Sequence, residues 1–280
     1  MPELPEVEYV ARQLRADLVG HVIERVHVEW ARSVQGMFAD EFAARLAGRR
    51  VRDIQRRGKY LLMRLDGDET LVVHRRMSGN LVLSPPARDV LYVRVAFVLD
   101  DGRRLLYSDP RKFGRLALVA DDDLPRLFAA LGPEPLDDDF TPAALAKRLG
   151  SQRRAIKAAL LDQSVVAGLG NIYADEALYR AGIHPLRPAG SLSHGEIAAL
   201  RDAIQAVLRT GIEHGGTTFG RHRDAYDEAG TNLEHIEVYR HTGLPCPRCG
   251  TPLERIVVAQ RGTHYCPTCQ RMRGPADTLS

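Results

Sequence analysis

The first six residues, Met1-Pro2-Glu3-Leu4-Pro5-Glu6, place a proline and two carboxylates at the start of the chain. If Met1 is removed, Pro2 carries a free secondary amine, and an α-amino group that titrates near pH ~8 is partly unprotonated at neutral pH. Such an amine can attack an activated anomeric carbon and form an iminium, with Glu3 and Glu6 as acid and base. The same residues also suit an ordinary helix start. With Met1 retained, the Pro2 nitrogen is an amide and cannot act as a nucleophile.

Four cysteines form two Cys-x-x-Cys pairs, Cys246 with Cys249 and Cys266 with Cys269. This is the spacing of a zinc ribbon, in which four thiolates close a tetrahedral site and leave no position open for water. The sequence therefore predicts one structural Zn²⁺. Disulfide bonds are the weaker alternative because the chain has the character of an intracellular protein. His241 and His264 could compete as ligands, although the four cysteines suffice.

Two turns could bind phosphate groups. Residues 253–265 predict a β-hairpin that turns at Arg261-Gly262, which would place Arg261 at an exposed tip. Such an arginine is either a solvated turn residue or a contact to a phosphate or a groove. The turn from Val166 to Asn171 contains two glycines and leads into a helix, whose N-terminus attracts phosphate. Alternatively, Asn171 simply caps that helix.

Shorter motifs also have two interpretations each. Lys59 begins a strand, His74 and Met77 flank a basic turn, and Arg111 and Phe113 follow a turn. The common interpretations are a solvated lysine, a structural histidine and a core methionine. The alternatives are phosphate contacts and side chains that wedge into a base stack. Each signal alone is weak.

Hydrophobic periodicity predicts the elements that must position these residues. A helix is predicted at 5–19, and from His21 to Val119 the period changes to two, which indicates a β-sandwich of short antiparallel strands. The predicted strands are 22–28, 59–65, 70–75, 80–83, 91–99, 103–108 and 114–119. A proline- and acid-rich linker follows at 131–140. Beyond it, helices are predicted at 142–149, 153–162, 171–181 and 194–213.

Composition excludes several classes of protein. The 280 residues allow two or more domains, and 44% apolar with 27% charged residues is an ordinary globular balance. A net charge of +3 does not identify a nucleic-acid partner, although the stretch from His241 to Arg273 is locally basic. No apolar run approaches the ~20 residues that cross a bilayer, and a secretory pattern is missing. We expect a soluble cytoplasmic protein with no membrane partner.

Taken together and in order, these motifs resemble bacterial formamidopyrimidine-DNA glycosylase, of the formamidopyrimidine-DNA glycosylase and endonuclease VIII family. The matching stretches are PELPEVE at 2–8, RGKYLL at 57–62, His74 with MSG at 77–79, DPRKFG at 109–114, LGPEPL at 131–136, GNIYA at 170–174 and QRGT at 260–263, together with the four cysteines. The resemblance covers residue 2 to about residue 273.

The resemblance implies an α+β chain of several domains. These are an N-terminal catalytic β-sandwich with a leading helix at 1–130, a linker at 131–140, a helix-two-turn-helix domain at 141–236, a zinc-ribbon finger at 237–273 and a tail at 274–280. Damaged double-stranded DNA would bind in the cleft between the domains of a monomer. The implied activity is base-excision repair, in which oxidised purines such as 8-oxoguanine and formamidopyrimidines are removed and the strand is cleaved by β,δ-elimination.

The resemblance also implies roles for single residues. Pro2 matches the nucleophile that forms a Schiff base at C1′ of the damaged nucleotide. Glu3 matches the proton donor that assists opening of the sugar ring, and Glu6 matches the carboxylate that positions the N-terminus. Lys59 and Arg261 match residues that contact phosphates and donate protons during elimination.

The remaining implied residues bind DNA, whose backbone must be held while a base is flipped out at a cost of a few kcal/mol. His74 and Asn171 match phosphate contacts. Met77, Arg111 and Phe113 match the side chains that fill the vacated stack, with Arg111 facing the orphaned base. Lys157 matches a lysine associated with the handling of oxidised guanine.

The sequence departs from the family pattern at three places. The family commonly has His-Leu-Gly-Met where this chain has His74-Arg75-Arg76-Met77. The turn that carries Met77 therefore loses a glycine and gains charge, which affects the expected insertion of Met77 but not the phosphate role of His74. Ala158 follows Lys157 where proline is often found. The stretch near 217–232, where the family has a lesion-capping loop, has too individual a sequence to predict base preference.

Two alternatives belong to other classes. One is an endonuclease VIII type glycosylase for oxidised pyrimidines, which the Leu4-Pro5 of the opening disfavours because that branch usually begins Pro-Glu-Gly-Pro. The other is a DNA-binding protein that uses zinc and the helical domain without chemistry, which the intact set of Pro2, Glu3, Glu6 and Lys59 disfavours.

Overall fold

The computed structural model describes residues 1–84, 90–220 and 223–272. The predicted tail at 274–280, Arg273 and residues 221–222 of the predicted capping loop lie outside the described residues. The chain forms two compact units. Unit 1 comprises Met1–Ala129 and Gly211–Leu233, and unit 2 comprises Ala130–Thr210 and Glu234–Ser280.

Helix α1 opens unit 1 and spans Leu4–Leu18, within one residue of the predicted helix at each end. Pro5 lies in its first turn, where a missing N–H costs nothing. The apolar positions that predicted the helix form its buried face, which packs chiefly on strand β3 at Val51–Arg57. Gly20 ends this segment with a φ of +94° that glycine adopts without strain.

Two sheets form the body of unit 1 and confirm the predicted β-sandwich. The five-stranded sheet has the order β2 (Val34–Gln35), β9 (Arg115–Ala120), β5 (Glu69–His74), β4 (Tyr60–Leu65) and β3. The four-stranded sheet has the order β1 (Ile23–Val28), β7 (Val93–Leu99), β8 (Arg104–Ser108) and β6 (Asn80–Ser84). Neighbouring strands are antiparallel except β2 and β9. Side chains from both sheets and from α1 share one hydrophobic core.

Some elements of unit 1 were absent from the sequence prediction. Strand β3 has only Val51 and Ile54 fully buried, so its sequence lacks a clear period of two. Helix α2, Ala39–Leu46, buries only Phe42 and Leu46. The short α3, Leu124–Leu127, follows the sandwich.

Unit 2 is helical and ends in a hairpin. Its helices are α4 (Pro142–Leu149), α5 (Ile156–Leu161), α6 (Asn171–Arg180) and α7 (His194–Glu213), whose last residues from Gly211 belong to unit 1. Thr141 caps α4 by accepting a hydrogen bond from the Ala144 amide at 3.1 Å. Ser193 and Glu196 form the predicted capping box of α7.

The hairpin of unit 2 pairs β10, Glu254–Val258, with β11, Arg261–Tyr265. The prediction of a turn at Arg261-Gly262 was wrong by two residues. Ala259 and Gln260 form the turn, both with positive φ, which matches the twist of a two-residue hairpin. Arg261 is therefore the exposed first residue of β11. Within the described residues, no helix is both long enough and apolar enough to span a membrane.

Candidate active site and metal centre

Two carboxylates are buried near the N-terminus of unit 1. Glu3 and Glu6 are 3% and 2% exposed. Pro2 is also buried, directly before the first turn of α1. The pKa of the Met1 α-amino group lies below its usual value, chiefly because burial disfavours the charged form and also because Lys59 and Arg75 are near, whereas Glu3 and Glu6 oppose the shift. A lowered pKa makes an amine more available as a nucleophile at neutral pH. In this structure that amine belongs to Met1, and the Pro2 nitrogen is an amide.

The Glu6 carboxylate is held by two backbone amides. Its Oε2 accepts from the Glu3 amide at 2.7 Å and its Oε1 accepts from the Thr217 amide at 2.8 Å. Gly216 allows this approach, because a Cβ there would lie 2.7 Å from Glu6 Cγ and its φ is +83°. The carboxylate thus ties the start of α1 to the segment that follows α7.

Lys59 directly precedes β4, and His74 is the last residue of the adjacent strand β5. Lys59 follows Gly58 in the β3–β4 turn and is 7% exposed. Tyr60 pairs with His74 across β4 and β5, and their rings meet edge to face at 4.6 Å. Burial, Arg76 and Lys59 lower the pKa of His74 to about 4, so the ring is neutral at pH 7.

The hydrogen bonding of His74 defines its tautomer. Its Nδ1 lies 3.0 Å from the Arg76 amide and accepts that hydrogen bond. A neutral ring with Nδ1 as acceptor carries its proton on Nε2. His74 can therefore donate one hydrogen bond to an oxygen such as that of a phosphate, without adding a positive charge.

Asp109 organises the two loops that carry the predicted stack-filling residues. Its side chain is 0% exposed. Oδ1 accepts from the Ser78 hydroxyl and from the Arg111 amide at 3.1 Å, and Oδ2 accepts from the Gly114 amide at 2.8 Å. A carboxylate with several donors is a rigid connection between loops. In the sequence, Asp109 is only the first residue of the stretch DPRKFG, and nothing in that stretch indicates that it is buried.

The three predicted stack-filling residues lie together as a result. Arg111 Nη1 is 3.8 Å from Met77 Sδ, and the Arg111 guanidinium lies 4.7 Å from the centre of the Phe113 ring. Met77 and Phe113 are 45% and 47% exposed, although both side chains are apolar. Exposed apolar side chains beside an arginine suit insertion into a base stack.

The two arginines before Met77 occupy different environments. Arg75 is 1% exposed and donates to groups in three parts of unit 1, whereas Arg76 is exposed and has a φ of +51°. The sequence showed only that this turn has more positive charge than the common family motif. It contained no signal that Arg75 would be buried, since two of its acceptors, the Glu6 and Arg223 carbonyls, are distant in sequence.

In unit 2 the ammonium group of Lys157 is fully buried and paired. Its Nζ lies 2.6 Å from Asp175 Oδ1, 2.8 Å from Thr263 Oγ1 and 3.1 Å from the Gly262 carbonyl oxygen. Asp175 Oδ2 in turn accepts from the His264 amide at 2.9 Å. Lys157 therefore joins α5 to α6 and β11, and the DNA contact implied for it stays a prediction.

Asn171 and Arg261 meet around the same hairpin. Asn171 begins α6, and its Nδ2 donates to the Gly262 carbonyl at 3.0 Å. Lys157 and Asn171 thus both hold the carbonyl of the residue next to Arg261. The exposed Arg261 side chain consequently projects from a fixed backbone, which suits a phosphate contact.

The four cysteines of unit 2 are arranged to bind one metal ion. Their sulphur atoms all lie within 4.8 Å of one another, with Cys246 to Cys269 at 3.9 Å and Cys249 to Cys266 at 3.5 Å. Zn–S bonds of about 2.3 Å in a tetrahedron require sulphur separations of about 3.8 Å. The four ligands fit zinc and leave no position for a reacting water, so a metal here is structural. Neither His241 nor His264 belongs to this cluster.

A β-sandwich with a buried acidic N-terminus, followed by a helical unit that ends in a zinc ribbon, is the architecture of the helix-two-turn-helix DNA glycosylases. Three family models match the chain in order: the formamidopyrimidine-DNA glycosylase N-terminal domain at residues 1–116, its H2TH domain at 131–222, and the zinc finger found in FPG and IleRS at 243–271. The chain belongs to the formamidopyrimidine-DNA glycosylase family, and the prediction of one structural Zn²⁺ is confirmed.

Relatives agree over the full length. A formamidopyrimidine-DNA glycosylase of Herpetosiphon aurantiacus is 53% identical over 96% of this chain and 100% of its own. The wild-type Lactococcus lactis Fpg, solved with DNA that contains N7-benzyl-Fapy-dG, is 36% identical with a TM-score of 0.90, and covers 97% of this chain and 100% of its own. A MutM solved with DNA that contains carbocyclic 8-oxo-G has the same identity, TM-score and coverage.

Proposed function

We propose that this protein removes oxidised purines, 8-oxoguanine and formamidopyrimidines, from duplex DNA and then cleaves the strand, with Pro2 as the nucleophile. Relatives that match over their full length are named formamidopyrimidine-DNA glycosylases. Solved structures similar to this one contain DNA with an N7-benzyl-Fapy-dG or a carbocyclic 8-oxo-G. The observation that carries the proposal is the Glu6 carboxylate, buried and held by the Glu3 and Thr217 amides directly behind Pro2.

The first step exchanges one bond at C1′ for another. After removal of Met1, the lone pair of the Pro2 nitrogen forms a bond to C1′ while the bond to the base breaks. The base leaves with that electron pair and takes up the proton that the Pro2 nitrogen releases, which leaves a neutral tertiary amine on C1′. Glu3 then donates a proton to O4′ as the C1′–O4′ bond opens, which leaves an iminium between Pro2 and C1′. Glu6 accepts from the backbone on both carboxylate oxygens, so we assign it to positioning.

Strand cleavage follows from the electron-withdrawing iminium. Loss of the C2′ proton gives a C2′–C3′ double bond and expels the 3′ phosphate. Loss of the C4′ proton then expels the 5′ phosphate. We assign Lys59 and Arg261 to phosphate binding and to proton donation during these two eliminations, each from its own unit.

The remaining contacts are to DNA alone. We assign His74 and Asn171 to phosphate oxygens, because each presents an N–H group on a fixed backbone. Met77, Arg111 and Phe113 would occupy the gap left by the flipped nucleotide. We propose further that the enzyme acts as a monomer in the cytoplasm. Light scattering of the purified protein with and without DNA tests its oligomeric state.

Borohydride trapping tests the chemistry. Reduction should give a covalent complex with a duplex that holds 8-oxoguanine opposite cytosine. Pro2→Glu should abolish the covalent complex, because the variant lacks the secondary amine. It also places a third carboxylate beside the remaining α-amino group, which favours the protonated form of that group. Pro5→Ala, at the other proline of the opening, should retain the complex.

The outcomes separate the alternatives. A complex formed only with an oxidised pyrimidine would replace the proposal by an endonuclease VIII type activity. No complex with any lesion, despite tight and salt-dependent DNA binding, would indicate a DNA-binding protein without chemistry.

A further inference from the structure

Arg75 is the largest fully buried side chain among the described residues, with 1% exposure. It lies in the turn between β5 and β6. A guanidinium carries five N–H groups, and burial requires that they find acceptors. Burial lowers the pKa of Arg75 to about 10, whereas Glu6, Tyr107 and Asp224 act in the opposite direction, so the group remains charged at neutral pH.

The acceptors of Arg75 come from three segments of unit 1. Its Nη1 donates to the Glu6 carbonyl at 3.2 Å, in the first turn of α1. Its Nη2 donates to Asn80 Oδ1 at 2.8 Å and to the Arg223 carbonyl at 3.0 Å. Because Asn80 Oδ1 also accepts from the Arg223 amide at 3.2 Å, the three residues form one connected network.

The same side chain closes its own turn. Arg75 Nε donates to the Gly79 carbonyl at 2.8 Å, while the Gly79 amide donates to the Arg75 carbonyl at 3.0 Å. Met77 lies within this closed turn. The position of Met77 is therefore linked through one guanidinium to the helix turn that follows Pro2.

We propose that Arg75 is a positioning residue that fixes the turn bearing Met77 against the first turn of α1, and so sets the stack-filling side chain in place relative to the N-terminal nucleophile. The inference rests on the proposed function and deepens it. Arg75 touches no reacting atom and acts through Met77. The first turn of α1 keeps its own anchor when Arg75 is lost, because the Glu6 carboxylate still binds the Glu3 and Thr217 amides.

The test compares two substrates in single-turnover reactions of Arg75→Leu. One is a duplex with 8-oxoguanine opposite cytosine, in which a base must leave the stack. The other is the same duplex with a preformed abasic site, from which no base is extruded. Misplacement by about 1 Å can cost about 10²-fold in rate, so we expect excision to fall by about that factor and abasic-site cleavage by less than about 5-fold.

A double-mutant cycle separates positioning from a general loss of stability. Met77→Ala is measured alone and with Arg75→Leu. If Arg75 acts through Met77, the double variant should excise 8-oxoguanine no more slowly than the slower single variant, because the second change removes nothing further. If the losses in excision rate of the two single variants instead multiply in the double variant, the proposal is overturned.

Arg103→Leu is the matched control. Arg103 is also an arginine of unit 1 that makes several hydrogen bonds. Its Nη2 donates to the Asp17 carbonyl at 3.0 Å, near the opposite end of α1. Its loss should leave the ratio of the two rates unchanged. All rates are normalised to the fraction of protein that borohydride traps on abasic DNA, which counts folded molecules.

A second variant is used if Arg75→Leu does not fold. In that case the same cycle is run with Arg75→Lys, which keeps the charge but not the planar guanidinium group and should lower excision to an intermediate degree. An unchanged ratio of excision to abasic cleavage in the folded variant would overturn the proposal. Failure of the wild-type protein to excise 8-oxoguanine would instead refute the proposed function.

Discussion

Replacing Lys157 by methionine should destabilise the protein severely, although methionine has a similar length. Lys157 and Asp175 have side chains that are both 0% exposed and are joined at 2.6 Å. The variant would leave the Asp175 carboxylate in the interior without its cation. Removal of one partner from a buried ion pair costs about 3–5 kcal/mol.

Most of that loss should come from Asp175 rather than from the other two partners. The Gly262 carbonyl retains the Asn171 amide group at 3.0 Å, and Thr263 Oγ1 retains the Arg261 carbonyl at 3.1 Å. A second change, Asp175→Asn in the Lys157→Met background, should therefore recover part of the stability, because it removes the buried charge.

Urea titrations followed by far-UV circular dichroism measure the free energy of unfolding, and hydrogen exchange of the peptide 254–265 reports on the hairpin that Lys157 holds. The control is Lys147→Met, at an exposed lysine of α4, which should change the free energy by less than about 0.5 kcal/mol. A loss below about 1 kcal/mol for Lys157→Met, with unchanged exchange in the hairpin, would refute the view that Lys157 is the counterion of Asp175.

Three further outcomes are expected. The pKa of His74 is lowered from 6.5 to about 4 in the folded state, so the unfolded chain binds a proton at His74 at a higher pH than the folded chain does. The free energy of unfolding should therefore decrease as pH falls from 6.5 towards 4. His74→Gln should reduce this decrease by about 2 kcal/mol, measured by denaturation curves at pH 7 and 4.5. Gly216→Ala should displace the Glu6 carboxylate and slow single-turnover excision, whereas Gly195→Ala, with open space around it, should not. Cys249→Ser should lower the zinc content measured by mass spectrometry and increase hydrogen exchange in the hairpin, and a normal zinc content would contradict the four-cysteine site.

Local patterns in the sequence predicted the elements with strong periodicity and the site residues that belong to motifs. Helix α1 and strand β7 have regular apolar spacing, and both were predicted. Strand β3 was not, because a segment with two fully buried residues has no clear period. The hairpin turn was misplaced because Ala259 and Gln260 are unusual residues for positive φ.

Buried charged residues were the main feature that sequence reasoning missed. Asp109, Arg75 and Asp175 each bind groups that are distant along the chain, so no local pattern indicates that they are buried. Their identity as charged residues would normally predict exposure. In the structure they hold Met77, Arg111 and Arg261, which the resemblance had already singled out, on fixed backbones.

The most direct test of the central claim is the site of the covalent bond. The protein is trapped with borohydride on 8-oxoguanine duplex, the DNA and protein are digested, and the modified peptide is sequenced by mass spectrometry. We expect the sugar remnant on the nitrogen of Pro2, in a peptide from which Met1 has been removed. A remnant on Lys59 or another lysine, or a trapped peptide that still begins with Met1, would contradict the assignment of Pro2 as the nucleophile.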